Sequence, residues 1–133
     1  MKEIIKEKSK EATILVIVYE YVMRNLLTRI LRAKGHTVAT SSVGSDGIRK
    51  FEKGKGKFDL VIIDIPLPGT GSFSVAKRIK KISQKTPIML IKGWNRELDS
   101  KKIKDAGFSL VLSTPLYIDN TVNLVHDLVA ATQ

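Results

Sequence analysis

The chain has 133 residues, no cysteine, two histidines and a formal net charge of +10. That length suits one ordinary domain, and folding would bury roughly two thirds of its unfolded surface. The lack of cysteine excludes disulfides, thiolate catalysis and Cys-ligated zinc, and His36 and His126 leave little for a His-based metal site.

The first twelve residues mix Lys with Glu and lack the apolar core of a signal peptide, so they read as a short charged helix or tail. No apolar run approaches the roughly 20 residues of a membrane helix, so a soluble, cytoplasmic protein without membrane contact is expected. Residues 13–18 form a continuous β-branched run suited to a buried parallel strand. Residues 20–34 follow as a helix with Met23, Leu26, Leu27, Ile30 and Leu31 on one stripe, and Gly35 ends it. A weaker, edge-ward strand at residues 36–40 precedes a helix over residues 45–52 with Ile48 and Phe51 facing inward. The Gly/Lys turn at residues 54–57 precedes a strand, whereas a phosphate loop precedes a helix, so it binds no nucleotide in that manner.

Leu60, Val61, Ile62 and Ile63 then form an apolar run with little alternation, the pattern of a central parallel strand, and it ends on Asp64. Pro66, Pro68 and Gly69 stop the strand. In an open α/β sheet the ligand crevice lies beyond the carboxyl ends of the strands, which places the Asp64 carboxylate where chemistry occurs. The residues alone leave open a solvated, turn-initiating Asp.

A helix over residues 72–82 uses Phe73, Ala76, Ile79 and Ile82, and an apolar strand at residues 88–91 ends on Lys92. Residues 96–105 are helical by propensity, with only Leu98 and Ile103 as large apolar anchors, so a loosely docked element is expected. A strand at residues 108–112 leads to Thr114-Pro115, and Ile118, Val122, Val125, Leu128 and Val129 stripe a final helix with Asp119 near its start. Five strand–helix units fill the chain, the alternation of a parallel α/β sheet. No Gly-x-Gly-x-x-Gly follows the first strand, which argues against a dinucleotide site.

The positive charge raises the possibility of nucleic acid as a partner. Basic residues fall mostly at expected surface positions of helices, and from Ser113 onward there is no Lys or Arg. Without stacking aromatics among the charges, a solvated basic surface is the preferred reading, and a nucleic-acid-binding protein is the alternative.

Residues 13–130 resemble the receiver domain of bacterial and archaeal response regulators. The resemblance rests on the Asp64 strand with Leu67-Pro68-Gly69, the helix after it, Asp105-Ala106-Gly107 before the fifth strand, and the Pro115 turn. It implies a single flavodoxin-like (βα)5 domain over residues 13–133, with a five-stranded parallel sheet of order 2-1-3-4-5 and helices on both faces. It also implies that Asp64 stands where the family accepts a phosphoryl group from a histidine kinase.

The family's other functional positions are replaced. Its two acids at the end of the first strand fall on Val18 and Tyr19, with Glu20 one residue beyond. Its hydroxyl residue at the end of the fourth strand is replaced by Lys92, its lysine before the fifth-strand proline by Thr114, and its aromatic switch residue by Val111. The resemblance therefore implies a receiver degenerate at its phosphorylation site, not an enzyme, with no cofactor required. If Asp64 does accept phosphate, Mg²⁺ is implied, with Asp64 and Glu20 as weak ligand candidates. Lys92 is expected to pair with Asp64 and lock the pocket; the alternatives are a solvated Lys92, or one that replaces the lost cations. Tyr19 and Tyr21 flank Glu20, where they fill the emptied pocket or simply pack. His36 and His126 read as a strand-start and a helix-surface residue. Thr114-Pro115 matches a place where the family often holds a cis peptide. The partners implied are a histidine kinase, another receiver or an output protein, with a homodimer through the fourth and fifth helices as a further possibility.

Overall fold

The computed structural model describes residues 11–131. Residues 1–10 of the expected tail lie outside them, and Ala12 already belongs to the core. The elements alternate without exception: β1 (Thr13–Ile17), α1 (Tyr21–Ala33), β2 (Thr37–Ser41), α2 (Gly44–Lys53), β3 (Leu60–Asp64), α3 (Ser72–Ile82), β4 (Ile88–Lys92), α4 (Ser100–Ala106), β5 (Leu110–Ser113) and α5 (Ile118–Ala131). All strands are parallel, in the order β2-β1-β3-β4-β5, so β3 lies at the centre. Register brings Ile17 opposite Ile63 and Asp64 opposite Ile91. The strand ends on either side of Asp64 therefore belong to β1 and β4.

The apolar runs give the central strands two buried faces, as parallel sheets require. On one face Ile14, Val16, Leu60, Ile62, Met89 and Ile91 pack with Leu27 and Leu31 of α1 and Val125 and Val129 of α5. On the other, Leu15, Ile17, Val61, Ile63, Ile88 and Leu90 meet Phe51 of α2, Val75, Ala76 and Ile79 of α3, and Ala106 of α4. Close approach of α2 to β1 depends on Gly47, where an added Cβ would lie 2.5 Å from Ile17 Cδ1. Asp46 in the first turn of α2 accepts from the Ser41 hydroxyl and pairs with Arg49 and Lys50, which together hold its carboxyl down at about 2.

Several boundaries and faces differ from those expected. In α1, Leu26 is exposed and Thr28 buried, because helical phase turns the stripe toward Leu27 and Leu31. The fourth helix begins only at Ser100, since the Asp99 side chain accepts from the Lys101 N–H and caps it there; residues 93–99 form a loop instead. His126 is half-buried, its ring 5.4 Å from that of buried His36 in an edge-to-face arrangement.

Ile62, fully buried in the central strand, gives a direct test of this packing. Ile62→Ala should lower unfolding stability by about 2–5 kcal/mol in urea titration, through lost burial and the cavity left behind. A loss below about 1 kcal/mol would contradict a doubly covered β3.

Candidate functional site

Asp64 is the first residue of β3 that is not fully buried, and the chain turns away immediately after it. The Ser72 hydroxyl, at the start of α3, donates to the Asp64 carbonyl at 2.6 Å. The Ile65 N–H donates to the Ile91 carbonyl at 3.0 Å, and Ile65-Pro66 is cis. These contacts fix the Asp64 backbone between β4 and α3 while its side chain remains partly accessible.

Burial is the main influence on the Asp64 carboxyl and raises its pKa to about 6, with the neighbouring Glu20 carboxylate adding to the rise. The Ile65 backbone amide and the Arg96 guanidinium oppose it. Glu20, which the sequence places one residue past the family's acidic pair, is thus brought within electrostatic reach of Asp64. It is also the N-cap of α1, its side chain accepting from the Val22 N–H.

The expected Lys92–Asp64 pair does not form. The Lys92 ammonium instead donates to the Arg96 carbonyl at 2.9 Å and the Gly93 carbonyl at 3.5 Å. The loop after β4 curls back and offers these acceptors beside the lysine's own strand end, so the ammonium is satisfied locally. Among the described residues, Asp64 takes part in no ion pair within 4 Å.

The other predicted positions are distributed as follows. Val18 is buried, and its carbonyl and that of Tyr19 each accept from the Arg24 guanidinium at 2.9 Å. Arg24, which sequence reasoning missed, therefore covers the strand end where the family's acids would stand. Tyr19 and Tyr21 are 55% and 67% exposed and do not fill the pocket. Thr114 is half-buried, its N–H donating to the Lys92 carbonyl at 2.8 Å, and Thr114-Pro115 is cis. Val111 packs against the core of the α2–α4 face, where an aliphatic side chain is well accommodated.

No group of three or more His, Cys, Asp or Glu side chains suited to a metal occurs among the described residues. The carboxylates that meet electrostatically here are Asp64 and Glu20. Mg²⁺ uses as few as one or two carboxylates and keeps its waters, so this pair is a minimal but chemically compatible donor set.

The raised Asp64 pKa has a definite sign for stability. The folded state takes up the proton at higher pH than the unfolded chain, so Asp64 weakens the fold as pH rises from about 4 to about 6. Asp64→Asn should therefore stabilise the protein at pH 7 by about 1–2 kcal/mol, after allowance for partial exposure, and the gain should vanish below pH about 4. Urea titrations across that range check it. By carbon-detected NMR titration, Glu20→Gln should lower the Asp64 pKa and Lys92→Met should leave it in place; the reverse pattern would contradict this geometry.

The model of the response regulator receiver domain matches residues 14–126. The transcriptional regulatory protein TcrA of Mycobacterium tuberculosis is 31% identical over 106 residues, which cover 80% of this chain and 41% of TcrA. The chain spans less than half the length of the curated relatives it matches. A receiver domain protein from Clostridium thermocellum superposes with a TM-score of 0.84 at 22% identity, over 90% of this chain and 95% of that one. The receiver domain of the Pseudomonas aeruginosa sensor histidine kinase PA1611, which holds a magnesium ion in its active-site cleft, gives a TM-score of 0.81 at 19% identity, over 91% and 99%. With the sheet order, the position of Asp64 and a family match across most of its length, the chain belongs to the response regulator receiver domain family.

Proposed function

We propose that this receiver domain is degenerate at its phosphorylation site and signals through protein contacts, without needing phosphorylation of Asp64. The observation that carries the reading is the composition of the pocket. Val18 and Tyr19 supply no carboxylate, Arg24 occupies their carbonyls, and the Lys92 ammonium is bound to loop carbonyls. Phosphoryl transfer needs cations held against the developing charge on the phosphoryl oxygens, and this pocket offers few preorganised ones. In this reading the domain is a cytoplasmic signalling component without enzymatic turnover. Its partners are a histidine kinase, another receiver or an output protein, and it uses no cofactor.

A second reading is favoured by the electrostatic influence of the Glu20 carboxylate on Asp64. There, Asp64 accepts a phosphoryl group, with Asp64 and Glu20 holding Mg²⁺; the ion would supply the charge neutralisation that the protein's own cations do not.

Intact-mass spectrometry after incubation with acetyl phosphate and Mg²⁺ separates the two. The first reading expects no phosphoryl adduct on the wild type or on Asp64→Asn. An adduct on the wild type alone, lost again in Glu20→Gln, would overturn it and establish the second.

A further inference from the structure

The sequence scatters its basic residues along the chain, but the fold gathers many of them. α3 and α4 lie side by side on one face of the sheet and carry seven Lys or Arg between them: Lys77, Arg78, Lys80, Lys81, Lys101, Lys102 and Lys104. The only acid in either helix is Asp105. On the opposite face, α5 carries Asp119 and Asp127 and no Lys or Arg. Of the seven, Arg78 alone makes an ion pair among the described residues, with Glu52 at 3.0 Å.

Between the two helices runs an open groove of about 300 Å³, lined by Lys77, Lys80, Lys81 and Gln84 on one side and Asp105 and Gly107 on the other. The three α3 lysines are spaced i, i+3 and i+4, so they form one face of that helix, and Gln84 follows just beyond its end. Gly107 closes α4 in the left-handed region at φ 97°. A Cβ there would lie 2.6 Å from Lys80 Cγ, so the glycine lets the lysine stem cross the helix end. The Lys80 ammonium is then fixed by the Thr86 and Gln84 carbonyls at 2.6 and 3.2 Å. Lys77 and Lys81 remain exposed on the rim, one turn apart, and Lys101 stands one turn before Asp105 on α4.

We infer that the α3–α4 face is a docking site for the phosphodiester backbone of double-stranded nucleic acid, held through charge rather than base contacts by Lys77 and Lys81 at the groove and by Lys101, exposed on α4 outside the groove lining. Charge complementarity selects the partner: a row of lysines lacking carboxylate partners faces outward, and duplex DNA presents about one negative charge per 1.7 Å of axis. No aromatic side chain lines the groove, which removes the stacking platform that single strands use. This surface is separate from the Asp64 pocket and does not rest on either reading of it.

The test is fluorescence anisotropy with a labelled duplex of about 20 base pairs, from about 50 to about 200 mM salt. Wild-type affinity should fall steeply with salt, with a log–log slope of about −3 for three phosphate contacts. Lys77→Glu/Lys81→Glu should bind at least about tenfold more weakly at low salt, with a slope shallower by about 2. Arg29→Glu/Lys34→Glu changes the net charge equally on the other side of the sheet and should stay within about threefold of wild type. Circular dichroism establishes that each variant is folded. The proposal is overturned by absence of binding at 50 mM salt, or by equal losses in the two double variants, which would mean diffuse charge alone. Tighter binding of a polyglutamate peptide than of the duplex would also overturn it, and would make the groove a protein-docking site.

Discussion

β3 runs between β1 and β4 with helices over both of its faces, so its backbone has no room to shift. Asp64 is the point at which that rigid strand meets water. The hydrogen bonds from Ser72 to the Asp64 carbonyl and from Ile65 to Ile91 extend the constraint one residue past the strand. Holding a carboxylate this firmly at the edge of an apolar core has an electrostatic cost, which appears as its raised pKa. The same anchoring that positions the group makes its charged form unfavourable.

What surrounds Asp64 follows from loops rather than from the sheet. Glu20 caps α1, Arg24 reaches back from the first turn of α1 to the end of β1, and Lys92 is claimed by the loop that follows it. Each group is satisfied by backbone close in sequence.

The strands were legible because continuous Val, Ile and Leu runs admit few other structures, and Asp64 was legible because Pro66 and Gly69 mark where β3 must end. The helix boundaries were less so. The start of α4 depends on the Asp99 cap, which competes with the helical propensity of the residues before it. Lys92 could not be read at all: a flexible side chain chooses among acceptors, and the carbonyls of Gly93 and Arg96 exist as a pair only once the loop has folded. Tyr19 and Tyr21, beside Glu20, could be read either as filling the pocket or as simply packing, but the turn into α1 faces both toward solvent. The gathering of lysines onto α3 and α4 likewise required knowing which helices are neighbours.

The Ala12 N–H donates to His36 Nδ1 at 3.0 Å, which fixes more than a contact. A ring nitrogen that accepts carries no proton, so the neutral imidazole must hold its hydrogen on Nε2, which is buried beside the His126 ring and has no hydrogen-bond partner among the described residues. Burial and the second imidazole both disfavour a charge there. A residue usually valued for its readiness to change protonation is thus kept in a single tautomer, serving as a clasp where the chain enters the sheet.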